Sequence, residues 1–198
     1  MLATCIAYTK DVPNWQIKAA IASFDAQTYS MKQLIIINNK DTIEECQELE
    51  IIHHSTIAII DRPKFSNGRA LLQALQHGAG QVIVHFPLNY YHNSNRIEDS
   101  IKFMAENDAM IISPEFKHTL VDGKIVSKGN SPNIIAELAI YSSPAYTDDY
   151  EIDYGAWWQY PLLANEHGID IIGVEECWSV EFPSEEPPEN YFPIFNNE

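Results

Sequence analysis

Short apolar runs alternate with helix-like segments along the first half of the chain, and this alternation constrains the fold more than any other feature. Over roughly the first 115 residues, strand-like and helix-like segments follow one another four times. Such an order is typical of a mostly parallel sheet with helices on both faces. The predicted strands are Leu2–Tyr8, Lys32–Asn39, Ser55–Asp61, Gln81–Phe86 and Ala109–Ser113.

The intervening segments carry helix-start signals and apolar residues at helical spacing. The predicted caps are Asp11 ahead of Pro13, Asp41 paired with Glu44, Ser66 or Asn67, and Ser94. The Asp41 pattern predicts a helix from Thr42 to about Leu49. The predicted buried faces of the other three helices are Ile17, Ala20, Ile21 and Phe24; Ala70, Leu71, Ala74 and Leu75; and Ile97, Ile101 and Met104.

Beyond Ser113 the pattern changes to short strands around one longer segment. Asp122-Gly123 is typical of a two-residue hairpin turn. Further expected elements are a strand at 136–143, a helix at 153–168 interrupted by Pro161, and two strands within 169–182. The sequence therefore predicts an α/β domain over 1–183, with a small antiparallel C-terminal part, and an acidic, proline-rich tail over 184–198.

The chain is strongly acidic, with 28 Asp and Glu against 12 Lys and Arg and a formal net charge of −16. A surface of this sign repels nucleic acid backbones and anionic membranes, so neither is expected as a partner. The three cysteines form no metal-type cluster, and their odd number favours reduced thiols. The sequence shows neither a signal peptide nor an apolar run that could cross a bilayer, so we expect a cytoplasmic protein.

Four sequence blocks stand in order between residues 3 and 105: SFDAQTY at 23–29, LIIINN at 34–39, GRALLQALQHGAGQVIV at 68–84 and NYYHNSNRIEDSI at 89–101. Together they resemble family 2-type glycosyltransferases with the GT-A fold. In that family a helix ends in S-hydrophobic-x-x-Q-T-Y, the second strand ends in D-D or N-N, a later helix ends in A-x-G-E, and D-D-x-x-x-P-x-R-L-E follows the fourth strand. The resemblance implies a GT-A-like single domain.

The resemblance also implies a nucleotide-sugar donor, bound over the carboxyl ends of the first strands. By position, Arg62 or Arg69 would meet the donor phosphates, and Asn89 would lie beside them. The residues that would cradle the nucleoside are Tyr8, Thr9, Asn38 and Asn39.

A later carboxylate in this family acts as general base on the acceptor hydroxyl. Asp153 or Glu151 matches that position best, ahead of an apolar helical run. Helix capping and first-turn charge are the structural alternative for both residues. The acceptor itself is not readable from the sequence.

The match fails where the family binds a divalent metal through D-x-D at the end of the fourth strand. The aligned segment, Phe86–Asn89, contains no acidic residue. Asn89 and His92 remain as the only groups that could face a metal, and neither suits magnesium or manganese. The sequence therefore does not support a metal cofactor. Arg62, Lys64 and Arg69 could pair with the phosphates instead, or they could be solvated loop charges.

Three functions remain open at this stage. The first is a glycosyltransferase that uses a nucleotide sugar and an unknown acceptor without a metal. The second is a catalytically inactive GT-A-fold protein that serves as a binding or assembly module. The third is an unrelated nucleotide- or sugar-processing α/β enzyme whose element order matches by chance. A homo-oligomer is compatible with all three.

Overall fold

The structure is a computed structural model of the 198-residue chain. It describes residues 1–42, 45–46, 56–114, 117–121, 124–128, 135–137, 171–174 and 179–182. The predicted helix at 153–168 and the predicted tail at 184–198 lie outside these residues. Most of the helix expected after Thr42 also lies outside them, although residues 45–46 are helical.

The first strands come from uninterrupted apolar runs, which suit strands covered on both faces. All 6 residues of the first strand are buried, and so are the last five of the second. The strands are β1 (Ala3–Tyr8), β2 (Lys32–Asn38), β3 (Ile57–Asp61), β4 (Val82–His85), β5 (Tyr90–His92), β6 (Ile111–Pro114), β7 (Lys117–Val121), β8 (Lys124–Lys128), β9 (Ile135–Glu137), β10 (Ile171–Val174) and β11 (Ser179–Glu181).

Seven strands form a central sheet in the order β10-β6-β9-β4-β1-β2-β3. β1 is parallel to both of its neighbours, β2 and β4, and β2 is parallel to β3. β10 is parallel to β6, whereas β9 runs antiparallel between β4 and β6. The carboxyl ends of β1 to β4 therefore meet at one edge of the sheet, which is where open α/β sheets bind ligands.

Three helices whose bounds lie within the described residues flank this sheet: α1 (Asn14–Asp25), α2 (Asn67–His77) and α3 (Arg96–Glu106). The predicted face of α1 is buried in full. On α2 the predicted face is buried except for Leu75, and on α3 except for Ile101; both of these are partly buried. Within the described residues, no helix combines the length and apolar character that a bilayer span requires.

The caps differ from the predicted ones in three of four places. Ser66 caps α2 as expected, and its side chain accepts a hydrogen bond from the Arg69 amide at 3.3 Å. Asp11 is not a cap, because it adopts a left-handed conformation (φ 59°) in the turn after β1, and Pro13 precedes α1. Ser94 is not a cap either, since Asn95 occupies that position.

The predicted Asp41–Glu44 capping pair is displaced by one residue. The Thr42 amide donates to Glu45 Oε2, and the Glu45 amide donates to Thr42 Oγ1, each at 3.1 Å. This reciprocal pair is a capping box, so Thr42 is the cap.

The Gln27-Thr28 block fixes the start of α3 against the end of α1. Gln27 Nε2 donates to the carbonyls of Ser23 (3.0 Å) and Asn93 (2.6 Å), and its Oε1 accepts from the Ile97 amide at 3.2 Å. The Thr28 amide donates to the Ser94 carbonyl at 2.8 Å. Thr28 Oγ1 also donates to Glu98 Oε2 at 2.6 Å, so the side chains of both Gln27 and Thr28 tie the two helices together.

A second sheet of four strands has the order β5-β11-β7-β8. β7 and β8 are antiparallel with Val121 opposite Lys124, which confirms the predicted hairpin across 122–123. β11 is antiparallel to β5 and parallel to β7. Beside this sheet, the Phe182 amide donates to the Asn89 carbonyl at 2.9 Å, and the Phe182 ring meets Trp15 edge-on at 5.4 Å. The C-terminal strands therefore support the loop after β4.

We predict that Gly80→Ala destabilises the protein by about 1–3 kcal/mol. A Cβ at Gly80 would lie 2.6 Å from the Leu2 carbonyl oxygen and 2.7 Å from the Thr4 nitrogen, both backbone atoms of the central strand region. Thermal unfolding should show a lower Tm. Ala79→Ser, at the exposed neighbouring position, is the control and should leave the Tm unchanged. Equal Tm values for both variants would contradict this packing.

Candidate functional site

A buried hydrogen-bond network joins the carboxyl ends of β1 and β2. Thr9 Oγ1 donates to Asn38 Oδ1 at 2.8 Å, and the backbone amide of Asn39 donates to Thr9 Oγ1 at 3.1 Å. Asn39 Oδ1 accepts from the backbone amides of Thr9 (3.1 Å) and Lys10 (3.0 Å). Thr9, Asn38 and Asn39 are each at most 1% exposed. The two strand ends are therefore locked to each other below the surface.

The amide nitrogens of the same asparagines extend the network to the end of β3. Asn38 Nδ2 donates to Asp61 Oδ1 at 2.8 Å and to the Cys46 carbonyl at 2.9 Å. Asn39 Nδ2 donates to the Phe65 carbonyl at 3.0 Å. Both side chains thus use their amide groups within the protein. These bonds hold the strand ends in position.

A cleft of about 310 Å³ opens directly above this network. Lys10 follows Thr9, and Lys40 follows Asn39, so the network sets the position of both lysines. Lys40 Nζ donates to the Val12 carbonyl at 2.6 Å, which holds the turn after β1 against the end of β2. The lining residues are Lys10, Asp11, Asn14, Lys40, Asp41 and Glu45.

The lining of the cleft mixes two cationic and three anionic side chains with one amide. Such a site offers hydrogen-bond donors and acceptors in nearly equal supply, which suits a polar organic molecule with several hydroxyl or ring N–H groups. The sequence reasoning missed these residues, although the position of Lys10 and Lys40 immediately after two strand ends was a usable signal. Tyr8 lies beneath the same edge and is 9% exposed. Burial raises the pKa of its hydroxyl far above the usual value.

The predicted phosphate-binding arginines lie beyond β3 and do not line this cleft. Arg62 is partly buried, and its guanidinium donates to the Asp61 carbonyl at 2.8 Å and to Gln73 Oε1 at 3.3 Å. Arg69 is exposed in the first turn of α2. Lys64 is exposed and has a left-handed backbone (φ 65°). These cations border the carboxyl edge from the β3 side.

The segment after β4, where the family D-x-D would stand, is largely a core segment. Phe86 and Leu88 are buried at 0% and 1% exposure, and Phe86 packs edge-on against Phe24 at 5.8 Å. Asn89 is partly buried, and its carbonyl accepts from the Phe182 amide. The side chains of this segment therefore present one neutral amide, at Asn89, and no negative charge.

Both ring nitrogens of His92 are used within the protein, so this residue is not free to bind a metal ion. Its Nε2 bonds the Pro87 carbonyl at 3.0 Å, so this nitrogen carries the proton and donates. Its Nδ1 lies 2.7 Å from Arg96 Nη1 and therefore accepts from the guanidinium. Burial, followed by the charge of Arg96, holds the pKa of His92 well below its usual range. The ring is neutral, and both nitrogens are used to pin the 87–92 loop.

A divalent cation does not fit the described residues at the end of β4. Pro87 and Leu88 offer no side-chain ligand, Asn89 offers one neutral oxygen, and His92 is occupied. Magnesium and manganese require several hard oxygen ligands, mostly carboxylates. In the part of the chain that the structure describes, no group of three or more His, Cys, Asp or Glu residues is arranged to hold a metal ion.

Arg96, the first residue of α3, is completely buried beneath the same loop, and sequence reasoning did not single it out. Its Nη2 donates to the His85 carbonyl at 2.6 Å, and its guanidinium lies over the Phe86 ring at 5.4 Å. Burial lowers the pKa of Arg96 to about 10, so the group stays charged at neutral pH. The predicted base residues, Asp153 and Glu151, lie outside the described residues.

The fold is shared with solved structures of S. aureus TarS. A structure of residues 1–349 bound to UDP-GlcNAc superposes with a TM-score of 0.71 at 14% identity, covering 94% of this chain and 60% of that one. The complex of TarS 1–349 with UDP superposes with a TM-score of 0.69 at 13% identity, covering 93% of this chain and 61% of that one. A longer TarS structure superposes with a TM-score of 0.70 at 14% identity, covering 93% of this chain and 37% of that one.

These likenesses establish the GT-A-like α/β fold that the sequence predicted. The chain spans 60 or 61% of the TarS 1–349 structures and 37% of the longer one. No protein-family model matches the sequence, and no curated protein matches it either.

We predict that Asn38→Asp destabilises the protein by roughly 2–4 kcal/mol at neutral pH. The substitution removes both amide donors and sets a buried carboxylate against Asp61 Oδ1, which is now 2.8 Å from the Asn38 amide. Because burial beside a like charge raises the pKa of the new carboxyl, the deficit should be smallest near pH 4 and grow as the pH rises.

Chemical denaturation at pH 4 to 8 would measure this deficit. The same change at exposed Asn95, Asn95→Asp, is the matched control and should leave stability near wild type. If Asn38→Asp were as stable as wild type across this pH range, the network would not be what holds the strand ends.

Proposed function

We propose that this chain binds a nucleotide sugar at the carboxyl edge of the central sheet and transfers the sugar to an acceptor hydroxyl. One observation carries the proposal: a polar cleft of about 310 Å³ lies over the ends of β1 and β2 in a fold whose solved neighbours include complexes with UDP and with UDP-GlcNAc. The cleft volume is at the lower end of the range for small-molecule sites, and it suits a nucleoside better than a complete nucleotide sugar.

The cleft supplies complementary groups for a nucleoside. Asp11, Asp41 and Glu45 can accept hydrogen bonds from ribose hydroxyls or from a base N–H, and Lys10 and Asn14 can donate to base carbonyls. In this proposal Tyr8, Thr9, Asn38 and Asn39 form the floor of the site. They act by fixing the strand ends, because their polar side chains lie below the surface.

The sugar diphosphate would extend from the nucleoside towards the end of β4, where Asn89 provides an amide. Arg62 and Arg69 border the opposite side of the same edge, because β3 and β4 flank β1 and β2 on opposite sides. Direct pairing with guanidinium groups is a strong way to hold phosphate oxygens, and it is the alternative if the diphosphate turns towards β3. Because a divalent cation does not fit the 86–89 segment, we propose that donor binding is independent of metal.

Transfer would proceed by direct displacement at the sugar carbon. The acceptor oxygen forms a bond to that carbon while the bond to the diphosphate oxygen breaks, and the acceptor proton passes to a carboxylate. We assign this base role to Asp153, with Glu151 as the alternative. The negative charge that develops on the departing diphosphate needs compensation by the cationic side chains at this edge.

A second candidate is a binding or assembly module that has lost catalysis. The neutral 86–89 segment favours it, because the position where the resembled family holds its metal carries no acid here. The two candidates differ in turnover: both accommodate a donor at the cleft, whereas only the first converts it. The third hypothesis, a chance match of element order, is disfavoured because the likeness to the TarS structure bound to UDP-GlcNAc extends over 94% of this chain.

We predict that UDP-GlcNAc binds in the presence of EDTA and raises the Tm. Lys10→Glu should weaken this binding at least tenfold, because it places a fourth carboxylate in a cleft that must accept an anionic ligand. Lys102→Glu, on the exposed face of α3 (69% exposed side chain), makes the same charge change outside the site and should bind like wild type. Calorimetric titration measures both, and equal affinities would refute this placement of the donor.

We predict that Asp153→Asn abolishes sugar transfer and leaves donor affinity within about twofold of wild type, because an amide cannot accept the acceptor proton. Glu151→Gln is the matched comparison. Transfer should be followed by release of the free nucleotide in the presence of a panel of acceptors, and binding by calorimetry. Unchanged turnover in Asp153→Asn would remove Asp153 from the base role, and a loss in Glu151→Gln alone would assign that role to Glu151.

A further inference from the structure

Arg96 carries a positive charge that no described residue balances. Its guanidinium is fully buried, and Nε has no hydrogen-bond partner within the described part of the chain. The two other nitrogens donate to neutral acceptors, His92 Nδ1 and the His85 carbonyl. Arginine is otherwise buried in proteins mainly when a carboxylate or phosphate pairs with it.

The ionisable groups around Arg96 do not supply the missing negative charge. Burial raises the pKa of the Cys5 thiol to about 12, so this neighbour is neutral at physiological pH. His85 and His92 are neutral as well, since burial, followed by the charge of Arg96, lowers the pKa of both. The described carboxylates of the first turn of α3, Glu98 and Asp99, are exposed, and Glu98 accepts from Thr28 instead.

A buried charge without a counter-ion is costly, and proteins keep one where a ligand or a functional state needs it. Arg96 lies directly below the end of β4, because it binds the carbonyl of His85, the last residue of that strand. Through His92 and Pro87 it also holds the loop that contains Asn89. This positive charge, which no described residue balances, is therefore fixed beneath the end of β4, where the described residues do not fit a divalent metal ion.

We propose that the buried guanidinium of Arg96 supplies the fixed positive charge that holds an anionic diphosphate over the Phe86–His92 loop without a divalent cation. This inference rests on the proposed function and names the electrostatic partner of the same site. Arg96 does not touch the ligand, since it has no exposed surface. It acts across the loop, where the low dielectric of the core leaves its field poorly screened.

The absence of acid in the 86–89 segment fits this arrangement. A carboxylate at position 87 or 89 would add a negative charge above Arg96 and offset its field, and a bound divalent ion would then be needed to restore positive charge. With Pro87 and Asn89 neutral, the guanidinium alone leaves the region positive. In this proposal the buried guanidinium of Arg96 takes the place of a divalent metal ion held by carboxylates.

The test measures binding of inorganic pyrophosphate and of UDP-GlcNAc by calorimetry, in EDTA and in manganese, with circular dichroism to confirm folding. Wild type should bind both anions in EDTA, with less than a twofold gain from manganese. Arg96→Gln should weaken both at least tenfold; a unit charge about 8 Å from one phosphate charge, at an effective dielectric near 20, allows roughly tenfold to a hundredfold for that charge alone.

Two further variants separate charge from structure. Arg96→Lys keeps the charge and should recover most of the affinity. Lys102→Gln removes one exposed positive charge from the same helix and should bind like wild type. If Arg96→Gln does not fold, Asn89→Asp decides: it should weaken pyrophosphate binding in EDTA at least tenfold, and manganese should restore it.

The outcomes that would contradict the role of Arg96 differ from those that would contradict the proposed function. A folded Arg96→Gln that binds pyrophosphate like wild type, or an Asn89→Asp with unchanged metal-free affinity, overturns the role of Arg96 and leaves the nucleotide site standing. Manganese dependence in wild type also overturns it. If wild type binds neither pyrophosphate nor UDP-GlcNAc under any condition, the proposed function fails together with this inference.

Discussion

The hydrogen bonds between Thr9, Asn38 and Asn39 are the constraint on which the rest of the carboxyl edge depends. They join the ends of β1 and β2, reach the end of β3 through Asp61, and set Lys10 and Lys40 at the mouth of the cleft. Buried amides with every group satisfied are rigid and costly to disturb. The edge is therefore organised before any ligand arrives, which reduces the entropy that binding has to offset.

Charge at this edge is arranged in two layers. The cleft over β1 and β2 mixes lysines with carboxylates, whereas the end of β4 has no negative side chain in the described loop and a buried guanidinium beneath it. A nucleotide sugar has the matching polarity, with a neutral hydrogen-bonding nucleoside at one end and an anionic diphosphate next to it. The strongly negative chain, at −16 overall, would otherwise repel such a ligand, so local positive charge decides where it can bind.

Most of the fold was predictable because its elements have clear periodicity. The apolar runs of β1, β2 and β4, the buried face of α1 and the hairpin turn at 122–123 are all local signals. The insertion of β9 between β4 and β6, and the pairing of β5 with β11, join segments far apart in sequence, so no local pattern encodes them. Asn38 and Asn39 were found from their position, but only the structure shows that their amides face inward. Arg96 was missed because an arginine in the first turn of a helix ordinarily lies in water; its burial goes with its bonds to His85 of β4 and His92 of β5, which are long-range features of the fold.

The most direct test of metal-free donor binding is a crystal structure of the protein grown with UDP-GlcNAc and manganese chloride, with data collected at the manganese absorption edge. We predict nucleoside density in the cleft lined by Lys10 and Asn14, diphosphate density over the Phe86–His92 loop, and no anomalous peak between them. An anomalous manganese peak that bridges the diphosphate to Asn89 would contradict the account, and so would a nucleotide bound away from the carboxyl edge.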